Sequence, residues 1–165
     1  EFIMHIRDAA PEDDGLISQV IEDAFGQSDE ADLVDALCLS GDTVFSLVAD
    51  DAGEIVGQIL LSKLQAPEQC LALAPVSILP NRQNQGIGSE LIQQSIVRAK
   101  TEGWLAIFLL GEPAYYERFG FTTYAADKFE TEYPKSYFMA LELSPNALAP
   151  LAGRVTYPSA FLSLG

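Results

Sequence analysis

The stretch Ile78-Leu79-Pro80-Asn81-Arg82-Gln83-Asn84-Gln85-Gly86-Ile87-Gly88-Ser89 decides how this chain is read. It lies between an aliphatic run ending at Leu79 and a segment, Gly88 to Glu102, in which Leu91, Ile92, Ser95, Ile96 and Ala99 recur at helical spacing. That order predicts strand, loop and helix, with Gly103 placed to end the helix. A helix start leaves backbone N–H groups without intrahelical acceptors and carries the positive end of the helix dipole, so such a loop suits a phosphate. Gly86 and Gly88 would let the chain curl and a ligand approach the backbone. The same glycines also serve a plain strand-to-helix turn, and taken alone they leave the choice open. Two other phosphate loops do not fit. No Lys-Ser or Lys-Thr follows, as a P-loop needs, and Leu91 stands where a dinucleotide fingerprint has its third glycine.

Working outward, Cys70 to Leu79 reads as a long strand, but Pro75 inside it has no N–H for the ladder, which predicts a bulge there. Val44 to Ala49 and Glu54 to Lys63 read as a hairpin turning at Asp50-Asp51-Ala52-Gly53. Met4 to Ala9 is a short strand. A helix then opens at Pro11 behind Ala10, a poor cap, with Leu16, Ile17, Val20, Ile21, Ala24 and Phe25 expected on its core face. Asp29 is expected to cap a second helix whose stripe is Leu33, Val34, Leu37 and Cys38, which predicts a buried Cys38. Downstream, Leu105 to Leu110 is a continuous apolar run, as in a strand covered on both faces. Pro113 to Arg118 reads as a short helix ended by Gly120, followed by strands at Phe121 to Tyr124 and Tyr137 to Leu143. Lys128 to Lys135 is a polar loop, and Gly153 to Phe161 is a candidate last strand.

The chain has 165 residues, 48% hydrophobic and 20% charged, which is the composition of one globular domain, taken as residues 4–165. Glu1, Phe2 and Ile3 before Met4 read as a cloning scar. Acidic residues outnumber basic ones by 24 to 9, for a net charge of −15, which argues against nucleic acid or a membrane surface as partner. The excess keeps a surface soluble and could also steer a cationic substrate. Cys38, Cys70 and His5 have no companions at metal-ligand spacing, so no metal is expected. With no apolar run near the roughly 20 residues of a membrane span and no signal peptide before Met4, the expected location is cytoplasmic.

Gln83-x-x-Gly86-x-Gly88, preceded by Val76-Ser77-Ile78-Leu79-Pro80 and followed by Tyr115-Tyr116-Glu117-Arg118-Phe119-Gly120-Phe121, resembles the GNAT superfamily of acetyl-CoA-dependent N-acetyltransferases. The resemblance covers most of the chain. Leu110-Gly111-Glu112-Pro113-Ala114-Tyr115-Tyr116 is also similar to a bacterial branch of that superfamily. It implies an α/β fold: a mixed, mostly antiparallel sheet of six or seven strands, helices on both faces, and a splayed central strand pair. Acetyl-CoA would be the cosubstrate. Its pyrophosphate would lie on the amides of Gln83, Asn84, Gln85, Gly86, Ile87, Gly88 and Ser89, with Arg82 either adding charge or simply solvated.

The same resemblance implies that the strand from Val76 through Ser77 to Ile78 would pair with the pantetheine arm, as if the ligand were an added strand. The Ile78 amide would face the thioester carbonyl, and Tyr116 would act as general acid toward the thiolate. Many family members carry an asparagine before the tyrosine helix, where this chain has Gly111-Glu112-Pro113. Direct transfer is expected, without an acetyl-cysteine at Cys38 or Cys70. Glu30, Glu112 or a water chain would serve as base. The acceptor is a small-molecule or peptide amine, and the protein a monomer or homodimer. A silent acyl-CoA-binding domain, or an acyltransferase with another acyl donor or a hydroxyl acceptor, stays open as an alternative.

Overall fold

Residues 4–164 are described by a computed structural model. The cloning-scar reading of residues 1–3 lies outside the described residues. Six strands form one sheet in chain order: β1 (Met4–Asp8), β2 (Thr43–Asp51), β3 (Glu54–Lys63), β4 (Cys70–Ile78), β5 (Ala106–Leu110) and β6 (Phe138–Glu142). Every neighbouring pair is antiparallel except β4 and β5. The helices are α1 (Asp14–Phe25), α2 (Asp29–Ser40), α3 (Ile87–Thr101) and two single turns, α4 (Pro113–Tyr116) and α5 (Thr123–Ala126).

Alternation along the strands sorts the core into layers on the two faces of the sheet. Leu47, Ile59, Leu61, Leu71, Leu73, Ile107 and Leu109 pack with Leu91, Ile92 and Ala99 of α3. On the other face Leu60, Ala72 and Phe108 pack with Leu33 and Leu37 of α2, and Val48 and Ile55 pack with Ile17, Val20 and Ile21 of α1. The central strands are therefore covered twice, which is why β5 reads as an unbroken apolar run and why Gln58 and Ser62 of β3 are buried among apolar neighbours.

The hairpin turns at Ala52 and Gly53, both with positive φ, and the Asp50 carboxylate accepts the Gly53 N–H at 2.7 Å. The bulge expected at Pro75 is present. Ile59 faces Val76 and Leu61 faces Leu73, so Ala74 and Pro75 together oppose Leu60. Ala10 supplies no side-chain cap, but Asp13 reaches back to accept the Ala10 N–H at 2.8 Å and pairs with Arg7 of β1 at the same distance.

Several expectations give way to tertiary context. Leu16 and Phe25 are 52% and 43% exposed, because α1 buries only the narrow line Ile17, Val20 and Ile21. Cys38 is exposed for the same reason. Leu33 and Leu37 face the sheet, and Cys38 sits about 100° further round α2, its sulfur 3.5 Å from the Thr43 hydroxyl. Ser28, not Asp29, occupies the N-cap position of α2, and no side chain caps it. Phe121 to Tyr124 is not a strand. Thr122 exchanges one pair of backbone bonds with Ala140, then its hydroxyl accepts the Ala125 N–H and starts α5. Gly153 to Phe161 adds no strand either, making only single bridges from Arg154 to Glu130 and from Thr156 to Ala66 before a 3-10 turn from Ser159.

Candidate functional site

β4 and β5 pair only through Cys70 with Ala106, Leu71 with Ile107 and Ala72 with Phe108. Beyond that point β4 bulges at Pro75 and runs on to Ile78 beside β3 alone, while β5 ends at Leu110, so the pair opens into a gap. Register tells which backbone groups face it. Leu79 donates to the Val56 carbonyl at 2.9 Å, and alternation of an antiparallel ladder then directs Ser77 toward β3 and Val76 and Ile78 toward the gap. Consistent with this, the Ile78 carbonyl accepts the Gln83 side-chain amide at 3.2 Å. Ser77 turns its hydroxyl the other way, where it accepts from the fully buried Gln58 at 2.9 Å. The same Gln58 amide reaches the Pro75 carbonyl at 3.3 Å, bracing the bulge from behind.

The gap opens toward the N-terminus of α3. Gly86 occupies the N-cap position with φ +84°, a left-handed conformation that favours glycine, and it offers no side chain to accept a first-turn N–H. With no side-chain cap at that end, α3 keeps a set of inward-pointing donors at the positive end of a four-turn dipole. A cleft of about 410 Å³ lies over them, lined by Ile78, Arg82, Gln83, Asn84, Gly86, Ile87, Gly88 and Ser89 from this side.

The opposite wall is α4 and the turn after it. Tyr115 and Arg118 line the cleft, and a Cβ on Gly88 would sit 3.2 Å from the Tyr115 hydroxyl oxygen. The Arg118 guanidinium stacks on the Tyr115 ring, 4.7 Å from its centroid, and joins no ion pair among the described residues. Sequence reading did not single out these two residues as cofactor contacts. The signal was present: Tyr115 and Arg118 are three apart and so share one side of a short helix.

The two arginines differ in what already holds them. Arg82 donates to Asp51 at 2.7 Å and to the Gln85 side chain at 3.2 Å, with Glu54 at 4.0 Å, so its charge is taken up by the hairpin turn. Of the residues read as cofactor contacts, Gln85 lines a neighbouring hollow between β1 and α3 and not this cleft, Val76 packs partly against the core, and Ser77 points away.

Tyr116 stacks edge-on against Tyr115 and Phe121, with ring centroids 5.0 Å and 6.0 Å away. Burial, helped by the neighbouring Tyr115, pushes its phenol up to about 12. The Cys70 thiol is buried and pushed up to about 11 by that burial, which disfavours a thiolate nucleophile. Glu30 accepts from Gln27 on the exposed start of α2, and Glu112 is exposed at the start of α4. A larger hollow of about 570 Å³ beside β6 and α5 contains no residue of β4 or the glycine loop, and its Lys128 is held by the Leu148 and Ala149 carbonyls. No group of three or more metal-ligating side chains occurs among the described residues. No described helix is long and apolar enough to cross a membrane.

The chain resembles several known proteins over nearly its whole length. It is 36% identical over 144 residues to the uncharacterized N-acetyltransferase YjhQ of Escherichia coli, covering 82% of this chain and 76% of that protein. It is 30% identical over 164 residues to the uncharacterized N-acetyltransferase YhbS of the same organism, covering 96% and 98%. The crystal structure of E. coli YhbS in complex with CoA superposes with a TM-score of 0.94 at 29% identity, over 100% of this chain and 95% of that one. A GNAT family acetyltransferase from Brucella melitensis in complex with acetyl-CoA gives 0.83 at 34% identity, over 98% and 99%. The sequence pattern of the acetyltransferase (GNAT) family matches residues 10–121, and with a sheet opened between β4 and β5 above an uncapped α3, the chain belongs to that family.

Proposed function

We propose that the protein transfers an acetyl group from acetyl-CoA directly to a primary amine. The observation that carries this reading is the gap itself: Val76 and Ile78 backbone without a partner strand on one side, the bare α3 N-terminus at its mouth, and Tyr115 on the opposite wall with Tyr116 packed behind it. The residues fit the cosubstrate. The Gln83 to Ser89 loop offers amides to a pyrophosphate, Arg118 offers a cation, and the β4 edge offers bonds to an extended amide chain. The CoA and acetyl-CoA complexes of two similar proteins support the same assignment.

In the reaction the neutral amine attacks the thioester carbonyl, forming the C–N bond. The Ile78 N–H stabilises the oxyanion. As the C–S bond breaks, the Tyr116 hydroxyl gives its proton to the departing thiolate, and a proton from the amine returns through water. Burial keeps that phenol protonated at neutral pH, as an acid must be. No residue need be acylated, in keeping with a remote, exposed Cys38 and a buried, protonated Cys70. No lysine or arginine occurs between Arg7 and Lys63, so α1, α2 and the hairpin favour a cationic acceptor.

The test is release of free CoA thiol from acetyl-CoA against a panel of polyamines, aminoglycosides, peptides with free N-termini and lysine peptides. Propionyl- and succinyl-CoA serve as alternative donors. Turnover with at least one amine and a preference for acetyl-CoA are expected. Binding of CoA without turnover on any amine would favour a silent acyl-CoA-binding domain instead.

A further inference from the structure

Gly111 follows the last residue of β5 and precedes Glu112, whose carbonyl accepts the Tyr115 and Tyr116 N–H groups, both at 3.1 Å. Its φ is not in the left-handed region, so backbone conformation does not require glycine here. Space does. A Cβ on Gly111 would lie 2.5 Å from Cε2 and 2.9 Å from Cδ2 of Tyr116, and 3.3 Å from Cδ1 of Leu109. Non-bonded carbons rest at about 3.5–4.0 Å, so the Tyr116 ring occupies the volume that any other residue type would fill.

The backbone is poorly placed to yield. Gly111 donates to the Tyr137 carbonyl at 2.9 Å, and the preceding Leu109 and Leu110 are in register with Met139 and Phe138 of β6. The ring is hemmed in elsewhere by Tyr115, Phe121 and Phe119, the last at 6.4 Å between centroids. We infer that Gly111 is a positioning residue: its missing side chain is the seat of the Tyr116 ring and sets where the Tyr116 hydroxyl points. This rests on the reading of Tyr116 as the general acid.

An alanine at this position must push the ring by roughly 1 Å to reach ordinary contact. Misplacement on that scale costs about 10²-fold where reacting groups must align. The experiment measures kcat and CoA affinity for wild type, Gly111→Ala, Tyr116→Phe and the double variant, with thermal melts that add Gly111→Ala/Tyr116→Leu. Gly111→Ala is expected to lower kcat at least tenfold, leave the Kd for CoA within about twofold, and cause no further loss in the Tyr116→Phe background. Shrinking the ring should recover stability, so Gly111→Ala/Tyr116→Leu is expected to melt above Gly111→Ala, or to fold where Gly111→Ala does not. Equal losses of kcat in both backgrounds, a wild-type rate for Gly111→Ala, or no recovery by Tyr116→Leu would overturn the inference. A wild-type rate for Tyr116→Phe would instead sink the acid reading beneath it, a result that the single variant reports by itself.

Discussion

Tyr115 and Tyr116 are adjacent in the chain and differ in what surrounds them: Tyr115 lines the cleft beside Gly88, and Tyr116 is wedged between Gly111 and Phe121. Their roles should separate accordingly. Tyr116→Phe removes only a hydroxyl, so folding and CoA affinity should survive while kcat falls at least tenfold, about 1.4 kcal/mol of transition-state stabilisation. Tyr115→Phe should change kcat much less. Because burial holds the Tyr116 phenol up to about 12, the kcat profile should show no loss from its ionisation up to about pH 10. Titration calorimetry should separate the two arginines as well. Arg118→Ala is expected to weaken CoA about tenfold, roughly 1.4 kcal/mol, by removing a cation that no carboxylate among the described residues neutralises. Arg82→Ala should weaken it less, since its charge is spent on Asp51; the reverse order would put the phosphate contact at the hairpin turn. Tyr116 was picked out by its spacing to Gly120 and Phe121 through the family resemblance, and its role as acid stays a proposal. Arg118 was not singled out, because its value lies in having no ion-pair partner among the described residues, and pairing is a property of space.

At the scale of elements, the bulge in β4 followed from one local fact, a proline without an N–H, whereas the buried width of each helix did not follow from its own pattern. α1 has apolar residues over a wide arc, yet the sheet covers only Ile17, Val20 and Ile21. The junction of β1 and α1 allows a pH test. Asp13 is held below the usual carboxylate value of 3.8, first by the hydrogen bond from Arg7 and then by that from the Ala10 N–H. A depressed acid stabilises the fold fully above its unfolded value, and that contribution is lost as pH falls through the lower folded value. Asp13→Asn should therefore cost about 2 kcal/mol in urea melts near neutral pH. The gap from wild type should shrink below pH 3.8. A deficit as large at about pH 2.5 as at pH 7 would mean that the loss is packing and not charge.

Across the whole molecule, binding in the gap joins β4, α3 and α4, which sit on different sides of it, so ligand should stabilise the domain as a unit. CoA at about 100 times its Kd should add roughly 2.7 kcal/mol, a rise in Tm of about 5–10 °C for a chain of this size. No shift at millimolar CoA would remove the cosubstrate assignment. The order of strand, glycine loop and helix, the doubly covered β5, and the break at Pro75 were all determined by sequence alone. Each depends on residues within one or two turns of each other: spacing of apolar side chains, a missing N–H, a glycine free to take positive φ. Tertiary structure alone decided where the strand pair parts, after Ala72, that Arg82 is neutralised while Arg118 has no ion-pair partner among the described residues, and that the Tyr116 ring lies against Gly111. The physical reason is that strand register, ion pairing and excluded volume are set by which distant segments meet. Local propensity specifies the elements, and packing between them specifies the site.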